Sequence, residues 1–299
     1  MDEKIGILIL NYLAYQDTIE CIDSLLNQTF QNFEIIIIDN DSPNDSYEVL
    51  SEKYAHSEIV TVYCTEKNLG FAKGNNFGLK IFKERGIVKV LVINGDTLFE
   101  DRNLLEKLLM IPYSKNIGMI GPEILSRDGK NQNPLKVKLR KRNDLLLQKI
   151  ELIFLELSLR FNIYPVLKKL ATQLSRSKIT QETVINEEKI LDPNDETLHG
   201  AAIFFTENYL KSYSGFYPET FLYFEEDFLA IICQRLGFRQ LYAPSLSIYH
   251  KEDASSDLLY DNNSKKSYLF KIKYAKKNLA LVKEIFSLST HELKKRMRN

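Results

Sequence analysis

Carboxylates, amides and one histidine gather in a few short stretches of this 299-residue chain, each next to an apolar run. In Phe221-Leu222-Tyr223-Phe224-Glu225-Glu226-Asp227-Phe228, three consecutive acids sit inside an aromatic run. Apolar surroundings penalise the charged form and lift a carboxyl toward neutrality, where it can act as a general base. The plainer alternative is an acidic helix start favoured by the helix dipole. Asn94-Gly95-Asp96-Thr97 follows a strongly apolar segment, so Asp96 is either a helix N-cap or a hard oxygen ligand for a divalent cation on a diphosphate. Ile37-Ile38-Asp39-Asn40-Asp41-Ser42 ends an apolar run in a carboxylate. That group could close an Asx-turn, or accept from the imide N–H of a uracil or thymine or from a ribose hydroxyl.

Two further stretches carry softer signals. Asn68 to Gly78 places Gly70, Gly74 and Gly78 at intervals of four, which is not the G-x-G-x-x-G of a dinucleotide site. A backbone this permissive at a helix N-terminus can approach a nucleotide closely, or can simply mark tight helix packing. His250 closes the apolar run Leu246–Tyr249 and precedes Lys251, Ser255 and Ser256. Together these could close over a diphosphate or its metal, although a strand-end histidine is more often structural.

The elements that position these groups alternate strand and helix, the pattern of a parallel sheet covered by helices. Buried strands are expected at Ile5–Leu10, Phe33–Ile38, Ile59–Cys64 and Ile87–Ile93, because each is continuously apolar. Asp17-Thr18-Ile19-Glu20 has capping-box spacing ahead of a helix through Ile22, Leu25 and Leu26. A helix from about Ala72 to Arg85 follows the third strand. Asn11, Asp39 and Asp96 then fall beyond the carboxyl ends of strands, where open α/β sheets bind ligands. Residues 133–190 break the alternation and include a long helical stretch, Asp144–Leu170. From about Ser264 the chain is lysine-rich with apolar residues interspersed, a basic amphipathic tail.

Composition narrows the class. Lys+Arg 40 balances Asp+Glu 40, so no overall basic field exists to hold nucleic acid. Cys21, Cys64 and Cys233 are far apart without C-x-x-C spacing and fall in apolar segments, which predicts buried, reduced thiols of a cytosolic protein. The N-terminal apolar run Ile5–Leu10 is much shorter than a membrane span and lacks a signal-peptide cleavage site.

In this order the segments resemble the family 2 glycosyltransferases of the GT-A fold, particularly bacterial polysaccharide and rhamnosyltransferase-like enzymes. The quotable pieces are Ile9-Leu10-Asn11-Tyr12, Asp39-Asn40-Asp41-Ser42, Asn68-Leu69-Gly70-Phe71-Ala72 with Asn75, Asn94-Gly95-Asp96, His199-Gly200-Ala201-Ala202 and Phe221–Asp227 through Gly237. The resemblance implies a Rossmann-like mixed α/β sheet over residues 1–256, with a helical insertion at about 133–190 and a C-terminal basic amphipathic helical tail at 257–299. It implies a UDP- or dTDP-sugar donor, with Asp39 on the pyrimidine and Asn11, Asn68, Gly70, Asn75 and Asn94 around it. Asp96 would be the last aspartate of the family's D-x-D motif, whose first position here is Asn94. Asp96 and His250 would hold Mg²⁺ or Mn²⁺, Gly200 and Ala201 would line the sugar and acceptor site, and Glu226 would be the base, with Asp227 as the other assignment.

The expected reaction is inverting transfer to a hydroxyl of a glycan or lipid-linked acceptor in cell-surface polysaccharide synthesis. The tail and the 144–170 helix suggest peripheral contact with the inner face of the cell membrane, or else packing on the domain or on a second copy of the chain. Two rivals remain at this level: a sugar-nucleotide nucleotidyltransferase, whose glycine-rich, arginine-containing first loop is not matched by Asn11-Tyr12-Leu13-Ala14, and a non-catalytic sugar-nucleotide-binding protein.

Overall fold

The computed structural model describes residues 4–139, 142–164, 187–252 and 264–298. Strands β1 (Ile5–Asn11), β2 (Phe33–Asp39), β3 (Val60–Cys64) and β4 (Val90–Asn94) are parallel neighbours in the order β3-β2-β1-β4. Helices α1 (Tyr15–Leu26), α2 (Ser46–Lys53) and α3 (Gly70–Glu84) connect them. Ile5, Ile7, Leu8 and Ile9, like Ile35 to Ile38, have no exposed surface, as required of strands covered on both faces. The register aligns Asn11 with Asp39 and Leu10 with Asn94, so the polar strand ends lie side by side.

The second half of the sheet is mixed. After β5 (Thr97–Leu98) and α4 (Leu104–Met110), β6 (Ile117–Ser126) enters, followed by β7 (Leu135–Lys136), α5 (Arg142–Arg160), β8 (Lys189–Ile190) and β9 (Glu196–Thr197). Then β10 (Ala202–Phe205) inserts antiparallel between β4 and β6, and β11 (Arg239–His250) runs parallel to β6 and antiparallel to β5 and β8. The sheet is thus mixed, as the resemblance implied, with its first four strands parallel as the early alternation predicts; a short apolar run such as Ala-Ile-Phe-Phe carries no information about strand direction. The β7 and β9 strands pair separately.

Helices α6 (Glu207–Leu210) and α7 (Glu225–Leu236) flank β10 and β11, and α8 (Ser264–Ser287) with α9 (Thr290–Arg296) completes the described chain. The apolar side of this tail belongs to the same core as the sheet: Leu279, Val282, Ile285, Leu293 and Met297 pack with Phe228, Leu229 and Ile232 of α7. Along its length α8 also packs on α5. The expected stretch Asp144–Leu170 is helical through Arg160, and residues 165–170 lie outside the described residues.

Two local expectations are corrected. Helix α1 starts at Tyr15 after Ala14 with no side-chain cap, so Asp17 and Glu20 form no capping box. Both instead accept from Lys251 Nζ, at 2.8 and 2.5 Å, across the gap to the end of β11. Cys21 and Cys233 are buried free thiols, but Cys64 is exposed, because it is the last residue of the edge strand β3.

Candidate functional site

A cavity of about 810 Å³ opens beyond the carboxyl ends of β1, β2 and β4. Its walls include Asn11, Asn68, Gly70, Asn94, Asp96 and His250, six of the positions singled out from sequence. Asp39, Asn75, Gly200, Ala201, Glu226 and Asp227 are not among its lining residues.

Asp39 lies behind the floor. It is fully buried; Asn11 Nδ2 and the Ser42 hydroxyl donate to its Oδ2 at 2.7 and 2.8 Å, and the Ser42 N–H donates to Oδ1 at 2.9 Å. The Thr18 hydroxyl donates to Asn11 Oδ1 at 2.9 Å, which fixes the orientation of that amide. In this arrangement Asp39 has no surface to give a base ring, and a direct contact requires Ser42 or Asn11 to turn aside. The side wall is organised by Asn40: its Nδ2 donates to Asn68 Oδ1 at 3.2 Å, and its Oδ1 accepts from Leu69 N–H at 2.9 Å. Gly70 follows with φ +77°, and a Cβ there would stand 2.3 Å from the Phe221 carbonyl. Only glycine allows the α3 entry to lie against the 221 segment, where Phe71 N–H donates to Phe221 O at 2.7 Å. Asn75, buried within α3, donates to the Phe71 carbonyl.

The opposite wall carries a carboxylate and two imidazoles. His250 Nε2 stands 3.3 Å from Asp96 Oδ1, and His250 Nδ1 meets Gln132 Oε1 at 2.8 Å. With Gln132 accepting, Nδ1 carries a proton, and Nε2 is the ring nitrogen that faces the aspartate oxygen. Two acceptors at that distance repel unless a cation or a proton lies between them. Asp96 and His250 therefore fit a divalent ion that takes few protein ligands and fills its remaining positions with water and phosphate oxygens. Gln132 supplies the outer hydrogen bond that orients such a histidine. No cluster of three or more His, Cys, Asp or Glu suited to a metal occurs among the described residues. Asp96 caps no helix, since it precedes β5 and its carbonyl accepts from Lys251 N–H. Lys251 itself turns away to Asp17 and Glu20, so the expected lysine over the diphosphate is corrected; Ser255 and Ser256 lie outside the described residues.

His199 was missed as a site residue, although it lines the cavity and its ring lies 5.7 Å from that of His250. Ala201 N–H donates to its Nδ1 at 3.0 Å, placing the ring proton on Nε2. Burial, then the neighbouring His250, pushes its pKa down to about 4, so it is neutral. The signal in the sequence was its position directly before Gly200-Ala201-Ala202 at the entry to β10.

The three acids open α7 and have three different environments. Asp227 Oδ1 accepts from Lys138 N–H at 2.6 Å and Leu139 N–H at 2.9 Å, tying the chain ahead of α5 to the helix start; burial pushes its pKa up to about 6. Glu226 is part-exposed and its Oε1 accepts from Gly200 N–H at 3.2 Å; burial raises its pKa. A Cβ on Gly200 would come within 2.8 Å of that oxygen, so a side chain there would push the Glu226 carboxylate aside. Glu225 is buried with Oε1 lacking any partner, and burial followed by the charge of Glu226 pushes it to about 8. The residues before it, Tyr223 and Phe224, are left-handed at φ 73° and 66°, strained for non-glycine residues. The buried Asn278 of α8 donates to the Leu222 and Tyr223 carbonyls at 2.8 and 2.5 Å, while Phe221 stacks on Tyr274 at 4.5 Å. With Phe270 and Lys271 in the cavity wall, α8 is part of the site.

A mixed sheet with parallel strands feeding a polar crevice, a carboxylate–imidazole pair and acids at a facing helix start defines the GT-A class of nucleotide-sugar transferase fold. The family described as glycosyl transferase family 2 matches residues 6–165, more than half of the chain, and the chain belongs to it. It is 27% identical over 120 residues to the glycosyltransferase GlyG of Streptococcus pneumoniae, covering 40% of this chain and 38% of that protein. It is 24% identical over 135 residues to the dTDP-rhamnosyl transferase RfbF of Shigella flexneri, covering 45% of this chain and 43% of that one. The matches thus span about two fifths of these relatives. Among solved structures, GalNAc-T7 with UDP, GalNAc and Mn²⁺ shares the fold with a TM-score of 0.56 at 12% identity, over 83% of this chain and 43% of that chain.

Proposed function

We propose that this protein is an inverting, divalent-metal-assisted glycosyltransferase. It moves a sugar from a UDP- or dTDP-sugar to a hydroxyl of a glycan or lipid-linked acceptor in cell-surface polysaccharide synthesis, at the cytoplasmic face of the membrane. The observation that carries the reading is His250 Nε2 standing 3.3 Å from Asp96 Oδ1 in the wall of a large polar cavity, with Glu226 bonded to Gly200 next to the cavity-lining His199. A family relative named as a dTDP-rhamnosyl transferase and a fold neighbour holding UDP and Mn²⁺ support the donor class and the metal.

In this scheme the donor's nucleotide lies along Asn11, Asn68 and Gly70, on the floor that Asp39 holds rigid through Asn11 and Ser42. Asp96 and His250 would hold Mg²⁺ or Mn²⁺, which would supply positive charge against the departing diphosphate. The neutral His199 offers its Nε2–H to an oxygen in the cavity. Glu226, steadied at Oε1 by Gly200, takes the proton of the acceptor hydroxyl with its second oxygen. The hydroxyl oxygen forms its bond to the anomeric carbon on the face opposite the diphosphate as the bond to phosphate breaks, and one displacement inverts the centre. Asp227 is less suited to this task because two backbone N–H groups occupy one of its oxygens.

The test couples turnover to binding. A panel of nucleotide sugars with Mg²⁺ or Mn²⁺ should give one donor that raises the melting temperature and is consumed. Glu226→Gln should lower transfer by roughly 10²- to 10⁴-fold, the scale of general-base loss, while keeping that donor-dependent shift. Full turnover by the variant would remove Glu226 as base, and a chain that binds donor but never transfers or hydrolyses it would be a binding protein.

A further inference from the structure

Helix α5 buries one side against α8 and leaves the other bare. Leu146, Leu147, Ile150, Ile153, Phe154, Leu157, Phe161 and Ile163 are 40–70% exposed, following helical spacing and continuing past the end of the helix. Contiguous apolar surface of this length, about 22 Å at 1.5 Å per residue, is uncommon on a protein with nothing to bind.

Charge identifies what the face meets. Residues 264–298 hold eleven of the chain's 40 Lys and Arg but two of its 40 Asp and Glu. Lys265, Lys266, Lys273, Lys277 and Lys283 of α8 are exposed beside the bare helix. Lys265 Nζ reaches across to Asn162 Oδ1 at 2.7 Å, placing cations next to the end of the apolar row. Of the three acids on α5, Asp144 lies in its first turn, Glu151 is exposed and accepts from Gln148, and Glu156 is paired with Arg160 and Lys276. A two-fold contact between copies through this face would bring the lysine-rich α8 of one copy toward its own counterpart, which repels. Apolar side chains flanked by lysines suit a surface with an acyl interior and anionic headgroups.

We infer that the bare face of α5, with the lysines of α8 beside it, seats this protein on an anionic lipid surface. The same α8 contributes Phe270 and Lys271 to the cavity wall, so docking there holds the cavity close to the headgroup plane. This deepens the lipid-linked-acceptor reading and draws its purpose from it.

Flotation of the full chain tests it, using vesicles of phosphatidylcholine with about one third phosphatidylglycerol against phosphatidylcholine alone. The wild type should float with the anionic vesicles, less so as salt rises. Ile150→Asn with Phe154→Asn and Phe161→Asn should reduce the bound fraction roughly tenfold, since the apolar face supplies the insertion. The variant should keep its melting temperature, because these side chains already face solvent, and should keep its donor turnover. Wild-type protein that stays with the soluble fraction, a variant that floats equally well, or a wild-type dimer that the variant splits would each overturn the inference. Turnover of a soluble donor is read separately, so loss of flotation with turnover intact leaves glycosyl transfer standing.

Discussion

Three neighbouring acids at the start of one helix are chemically alike in sequence and unlike in place. Asp227 Oδ1 holds the N–H groups of Lys138 and Leu139, Glu226 Oε1 holds that of Gly200, and Glu225 Oε1 has no partner, its carboxyl being met only by the N–H groups of Tyr223 and Glu225 itself. That ordering separates a structural tie from a base and leaves Glu225 as a group the fold tolerates at a cost. Its folded pKa of about 8 lies above the ordinary 4.5, so the native state binds the extra proton between those values. Stability contributed by the protonated carboxyl is therefore full below about pH 4.5 and is lost as pH rises through about 8. Glu225→Gln, which cannot ionise, should match the wild type at pH 4 and exceed it at pH 9 by on the order of a few kcal/mol. Thermal unfolding across that range would check this, and parallel curves for the two proteins would remove the burial argument. Asp227 loses stability in the same direction but over a lower window, from about 3.8 to about 6.

At the scale of elements, the donor-side strands were readable because runs such as Phe33–Ile38 are apolar on both faces and end in a polar residue. The contribution of α8 was not. Asn278 reads as an ordinary polar position in a lysine-rich helix, and only the fold puts its amide against the carbonyls of Leu222 and Tyr223. His199 and Gln132 escaped for a similar reason, since their value comes from β11 bringing His250 between them. Asp39 shows the reverse case, because a strand-end aspartate is easily found but its burial and its partners are not legible in the motif. Asn278 acts as a positioning residue: it holds the left-handed Tyr223–Phe224 pair, strained by roughly 1–3 kcal/mol per residue, at the turn that leads through Glu225 to Glu226. Asn278→Ala should lower stability by about 2–3 kcal/mol, two lost bonds to buried carbonyls, and depress kcat while leaving the donor KM near its original value. Asn278→Asp has the same shape but no N–H to give, so it should fail likewise. A variant with unchanged kcat would reduce Asn278 to a packing role.

At the scale of the molecule, the basic tail ceases to be an appendage. Its sequence advertises lysines, yet Ile272, Leu279, Val282, Ile285, Leu293 and Met297 are each at most 7% exposed, and five of them, all but Ile272, share a core with α7. Burying six such side chains is worth at most about 9–18 kcal/mol, at roughly 1.5–3 kcal/mol each. That rivals the total stability of about 5–15 kcal/mol typical of a folded domain. The same removal would bare α7, the helix that carries Glu226, and would free the carbonyls that Asn278 holds. Ending the chain at residue 256 should therefore leave a protein that aggregates or unfolds without a cooperative transition, and that neither binds donor nor transfers. Circular dichroism melting and donor-dependent thermal shift on the shortened chain would check this. A soluble, cooperatively melting product with donor binding like that of the full chain would mean the sheet stands alone, and that α8 and α9 serve the surface rather than the core.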